Sequence, residues 1–304
     1  MQSPVERVWR PDWPCSVGAA LRPLRRGAGD PTYRIIDGMH HRAMHTPVGS
    51  VTLSIAARNQ SGEVHATAYG DGADWALAHL PRLLGADDDI EGFEPPPVLR
   101  DVWRRHAHWR IGATGLVMDA LVPAIIEQKV TGQEAFAAYR ALVSRYGEPA
   151  PGPELGLMLP PTPAALLRIP SWEWLKLPVD GARSRPVVAA ARVASSLERA
   201  GGEDPLEFER RLTSIPGIGI WTSAEVRTRA LGDADAVSFG DFHIAKDVTW
   251  ALTGEQGDDQ RLAEVLEPYR PHRGRIPVLV ALAGLGRPRR GARMAPRRHL
   301  PNRG

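Results

Sequence analysis

From residue 30 to residue 70 the apolar positions come in short alternating runs. TYRIID, HRAMHT, SVTLSIAAR and EVHATAYG each fit a strand, and Gly, Pro or an Asn-Gln-Ser-Gly stretch cuts one from the next. The period then lengthens. DWALAHLPRLLG reads as a helix interrupted or restarted near Pro81, and ADDDIEGFEPPPVL, acidic and closing on three prolines, reads as a boundary loop. Beyond it helical spacing takes over. LVMDALVPAIIEQ is one such run, and in QEAFAAYRALVSRYG the residues Phe136, Tyr139, Leu142, Val143 and Tyr146 share a face. TPAALLRI, SWEWLKL and SRPVVAAARVASSLERAGG follow, the last as one helix stopped by Gly-Gly. DPLEFERRLTSI begins with Asp204 as N-cap and Pro205 at the first helical position. The pattern predicts an α+β chain that is mainly α, with a small N-terminal antiparallel β domain ahead of a helical array.

Composition narrows the setting. The chain has 304 residues, 43% of them hydrophobic, which is enough for two or three packed units. No apolar run reaches the ~18 residues of a membrane span, and the N-terminus lacks a basic-then-apolar signal pattern. Cys15 is the one cysteine, so no intramolecular disulfide, Cys-rich zinc site or four-cysteine iron–sulfur cluster can form. These features fit a cytoplasmic protein. The net charge of +3 is uneven: seven arginines and no acid lie between Arg287 and Arg303, and without them the chain is net negative. That tail reads as disordered, either a solvated end or a weak DNA tether. His40, His41 and His45 lie close in sequence, but alternation along a strand splits neighbours between faces.

One stretch between two helix-like runs carries chemistry: LTSIPGIGIWTSAEV, Leu212 to Val226, with the second helix beginning near Ile218. Gly217 and Gly219 let the backbone approach a partner closely and admit positive φ, and amides at the start of the second helix suit a phosphate. A tight helix–helix turn with glycines for packing is the competing reading. Asp241, 20 residues after Trp221 in SFGDFHIAKDV, is either an N-cap or a site carboxylate.

Together the string L-x-x-I-P-G-I-G-x-W-T and the spacing to Asp241 resemble the helix-hairpin-helix DNA glycosylases, within them the 3-methyladenine DNA glycosylase II branch. LVPAIIEQKVTGQEAFAAYRALVSRYG resembles that family's first core helix pair, EPYRPHRGRIPVLVALAG its closing segment, and the N-terminal unit its β domain. The resemblance implies a β-rich domain over residues 1–96, a helical glycosylase core over 97–286 with the hairpin at about 205–231, and a basic tail over 287–304.

It also implies roles. Asp241 is the catalytic carboxylate that stabilises an oxocarbenium-like transition state and positions water. Trp221 and His272 line the base pocket. The amides around Gly217, Gly219, Trp221 and Thr222 bind a DNA phosphate, and Gln128 with Lys129 forms the wedge that enters the base stack. Main-chain carbonyls of Thr213, Ile215 and Ile218 hold a monovalent cation, Na+ or K+, and no other cofactor is expected. Bifunctional relatives carry a Schiff-base lysine where this chain has Trp221, which implies excision without strand cleavage. The expected partner is double-stranded DNA with an alkylated base, handled by a monomer in the cytoplasm at the nucleoid. The rival expectation is a lesion-binding protein without catalysis. Two departures bear on substrate choice: Lys129 where the wedge is often apolar or an amide, and His272 where an aromatic is common.

Overall fold

The computed structural model describes residues 3–58 and 60–288. Five strands lie in the N-terminal part: β1 (Val5–Trp9), β2 (Tyr33–Ile36), β3 (Met39–Thr46), β4 (Gly49–Arg58) and β5 (Glu63–Tyr69). They form one antiparallel sheet in the order β1-β5-β4-β3-β2. Asp37 and Gly38 turn β2 into β3 with φ of 49° and 77°, the left-handed pair that a two-residue hairpin loop demands. Burial alternates along β5, as the sequence pattern requires of a half-buried strand, while the central β4 is covered on both faces. Short helices α1 (Val17–Leu21), α2 (Ala73–Ala78) and α3 (Leu80–Leu83) pack onto Val51, Leu53, Ile55 and Val64 to close a first core.

The chain then enters α4 (Arg100–Arg105), α5 (Val117–Ile126) and α6 (Gly132–Tyr146). A short pair, β6 (Glu148–Pro149) and β7 (Met158–Leu159), precedes α7 (Pro163–Leu167), α8 (Ser171–Lys176), α9 (Gly181–Arg192), α10 (Ala194–Ala200) and α11 (Pro205–Thr213). After the hairpin turn come α12 (Ile220–Val226), α13 (Ile244–Thr253), α14 (Asp259–Leu266) and α15 (Arg275–Ala283).

The helical part is built round two cores. One gathers Leu121, Ile125, Leu142, Trp174, Val187, Phe208 and Leu212. The other joins Phe93, Leu99 and Val102 to Val248, Leu262, Ile276 and Leu279, residues far apart in sequence. The acidic boundary loop is therefore anchored at both ends of its sequence. Phe93 is buried, and Asp88 accepts from Arg275 and from the Ile111 amide.

Two local expectations change, and two elements went unread. The run over 184–202 is two helices broken at Val193. α12 starts at Ile220 rather than near Ile218, because Gly219 is still extended. The edge strand β1 and the β6–β7 pair carry too short a pattern to read without their partners. Of the basic tail, all beyond Pro288 lies outside the described residues. No described helix is long and apolar enough to cross a membrane.

Candidate active site

Asp204 opens the hairpin by accepting from the Leu206 and Glu207 amides, at 3.0 and 3.2 Å, ahead of Pro205. In the turn that follows, the two glycines differ. Gly217 has φ +89°, and a Cβ there would lie 2.4 Å from Cγ of Pro186 on α9. Gly219 is extended, with φ −106° and ψ −177°, and a Cβ there would meet nothing within 4 Å. The first bond of α12 runs from the Ser223 amide to the Gly219 carbonyl at 3.0 Å. The amides of Ile220, Trp221 and Thr222 therefore precede the helix's own acceptors and point out of its start. α12 continues without a break into a π-helical turn over Arg227–Leu231.

Gln128, just past the end of α5, buckles the turn. Its Nε2 donates to the Gly217 carbonyl at 3.0 Å and to Thr222 Oγ1 at 2.7 Å. With its amide tied to the hairpin, Gln128 differs from its neighbour Lys129, which is exposed at φ +54°. Immediately afterwards α6 starts from a capping box of Thr131 and Glu134.

Asp241 lies between the hairpin and α13 and bonds to both. Oδ1 accepts from the His243 and Ile244 amides at 2.7 and 3.0 Å, while Oδ2 accepts from the Trp221 indole at 3.3 Å. One oxygen holds the two amides that lead into α13 and the other takes the hairpin's indole. The loop that carries it is fastened from two further helices. Ser238, whose carbonyl accepts from the Asp241 amide at 3.3 Å, donates its hydroxyl to Glu225 on α12. Asp259 on α14 accepts from the Gly240 amide at 2.9 Å. Glu225 sits four residues after Trp221, hence on the same helix face, and its other oxygen takes Arg229, four residues further on. Glu225, Ser238 and Asp259 escaped the sequence reading. The i, i+4 spacing from Trp221 was a usable signal for Glu225, whereas Asp259 is brought in only by tertiary packing.

His272 stands elsewhere. It is 7% exposed, its Nδ1 accepts from Arg275 Nε at 3.4 Å, its Nε2 faces the Glu91 carbonyl at 3.3 Å, and its ring meets Phe93 edge-on. None of these partners belongs to the hairpin. Arg275 and the boundary loop between them claim both ring nitrogens. Arg273 forms a two-pronged pair with Asp235, a structural role. His40, His41 and His45 each bind a separate protein partner: Tyr33, Ser54 and the Pro160 carbonyl. Among the described residues no group of three or more His, Cys, Asp or Glu could hold a metal. A cavity of about 220 Å³ lies apart from this site, lined by His45, Met118, Tyr139, Leu166 and Glu198 among others, with neither Trp221 nor Asp241.

No family model matches the chain. Over 175 residues it is 29% identical to the "Probable bifunctional transcriptional activator/DNA repair enzyme AlkA" of Mycobacterium tuberculosis, a match covering 56% of this chain and 35% of the relative. The chain thus spans about a third of the length of the curated relatives it matches. Among solved structures, the 3-methyladenine DNA glycosylase of Archaeoglobus fulgidus aligns with a TM-score of 0.75 at 18% identity, over 91% of this chain and 97% of that one. The 8-oxoguanine glycosylase/lyase of Clostridium acetobutylicum, solved with duplex DNA containing cytosine opposite 8-oxoguanine, aligns at 0.70 and 10% identity, over 92% and 97%. Both have the fold described here.

Proposed function

On the premise that the chain belongs with the helix-hairpin-helix DNA glycosylases, on their alkylated-base branch, we propose that it is a monofunctional glycosylase that excises alkylated purines from duplex DNA. The observation that carries this reading is the Asp241 carboxylate held by the Trp221 indole, two residues after the open Gly219.

The chemistry follows from the geometry. Breaking an N-glycosidic bond leaves positive charge on the sugar. Asp241 receives three N–H donors, which fix its carboxylate in direction, and a carboxylate so fixed stabilises the developing cation with no reorganisation at the moment of reaction. The remaining lone pair of Oδ2 faces sugar or water. An alkylated purine already bears positive charge, so it leaves without strong acid help, and its flipped ring stacks on the Trp221 face as a cation on an aromatic. In a lesion-binding protein without catalysis Asp241 would serve only its bonds to Trp221 and the start of α13, at the cost of repelling a phosphate-rich partner.

Gly219 approaches a DNA phosphate, and the amides of Ile220, Trp221 and Thr222 receive it. Gly217 shapes the turn. Lys129, at the exposed tip between α5 and α6, is the wedge; its stem fills the gap while its ammonium stays in water or on a phosphate. The carbonyls of Thr213, Ile215 and Ile218 offer oxygen donors only, and that of Ile215 already takes the Ile218 amide at 3.0 Å, leaving it one lone pair. Such a set suits a hard monovalent cation, which would add positive charge under the phosphate site.

Trp221 in the place of a nucleophilic lysine gives the test its second arm. Methylated duplex DNA incubated with the protein is expected to yield free methylpurine by mass spectrometry, and borohydride is expected to trap no protein–DNA adduct. A trapped adduct would mean a lyase and would overturn the monofunctional reading.

A further inference from the structure

Phe242, the residue after Asp241, is 70% exposed, more than any other large apolar side chain among the described residues. Leaving a phenyl ring in water forgoes the stabilisation that burying it would give, and here it does so one residue from the proposed catalytic carboxylate. The groups round the ring are cationic or polar. Lys246 Nζ lies 4.9 Å from its centroid, and His243 meets it edge-on at 4.9 Å. Both of those side chains are exposed.

The nearby acids have other partners. Asp247 binds Arg287 at 2.7 Å, and Asp241 is committed to Trp221 and the first amides of α13. Arg287 also lies against His243, with Nη2 3.3 Å from Nδ1, so the described chain ends on this face. The sequence after Pro288 continues with six more arginines and no acid. An exposed aromatic with positive neighbours fits a nucleic-acid strand, where a base stacks on the ring and a phosphate takes the cation.

We propose that the start of α13 is a stacking platform for a nucleotide flanking the target base, with Phe242 under the base and Lys246 on a neighbouring phosphate. The proposal rests on the glycosylase reading, which places the damaged strand at Asp241. It also shares the work of holding the opened duplex between the Lys129 tip and a true aromatic surface.

The test uses the full chain and a duplex with a tetrahydrofuran abasic analogue flanked on either side by 2-aminopurine. Wild type is expected to quench 2-aminopurine at one flank. Phe242→Ala should lose that quenching and bind about tenfold more weakly, within the range for one base–aromatic stack, while Phe242→Trp keeps both. Lys246→Ala should lower the slope of log affinity against log salt by about one. Thermal melts confirm that these exposed-site variants fold. Base release from methylated DNA, measured on wild type in parallel, separates the two claims. If wild type releases base while Phe242→Ala quenches and binds like wild type, the platform falls and the glycosylase reading stands. If wild type neither releases base nor binds the duplex, both fall. A Phe242→Ala effect confined to self-association in light scattering would assign the ring to a second copy of the chain and overturn the proposal.

Discussion

Gly217 and Gly219 stand two apart in one turn, yet the protein's interior asks for only one of them. Gly217 needs its glycine twice over, for φ +89° and for the approach of Pro186. Gly217→Ala should therefore destabilise the fold by about 1–3 kcal/mol, read as a lowered denaturation midpoint. At Gly219 the backbone is ordinary and the space is open, so Gly219→Ala should leave stability within about 0.5 kcal/mol while weakening DNA binding. Equal loss of stability in the two variants would mean that both glycines serve packing alone. Sequence could name both positions but not divide their roles, since φ and the Pro186 contact exist only in the folded chain. The same limit explains the other site residues. The contact between Trp221 and Asp241 joins residues only 20 apart, within reach of a spacing argument. The partners of His272 were not legible, because they come from a boundary loop some 180 residues earlier, at Glu91 and Phe93.

At the scale of elements, α12 works as a ruler. Trp221, Glu225 and Arg229 follow one another at four-residue steps, and the first two grip the Asp241 loop, by the indole and through Ser238. Glu225 and Ser238 are positioning residues, because they act on Asp241 through the loop. Ser238→Ala should lower kcat for base release about tenfold with KM little changed, and Ser238→Thr should restore most of it. A rise in KM alone, with kcat intact, would contradict a positioning role. Elements with a strong period were readable in advance: β3, β4 and β5, the α5–α6 pair, and α11 with its Asp204 cap. β1 was not, because a five-residue edge strand is defined by β5, whose partner residues lie about sixty positions on. The break between α9 and α10 was hidden because its apolar period runs through Val193 unbroken.

Across the whole molecule, the site depends on three cores holding still against one another. Arg275 is fully buried, pairs with Asp88 of the boundary loop, and lies 5.7 Å over both Phe93 and Trp109. Asp88→Ala would strand that guanidinium in the interior and should cost about 3–5 kcal/mol, seen in denaturant unfolding. A change under 1 kcal/mol would show that water reaches Arg275. The sequence pattern showed that a β unit and a helical array exist. It did not show that the second helical core closes only when residues near Phe93 meet α13, α14 and α15, because that meeting leaves no periodic trace. The carboxylate at the junction of these parts is the centre of the account, and one measurement addresses it most directly: base release from methylated duplex DNA by wild type and by Asp241→Asn, with DNA binding followed in the same samples. The account predicts release by wild type, a loss of at least about 100-fold in the variant, and duplex affinity retained. Release by Asp241→Asn at the wild-type rate would contradict it.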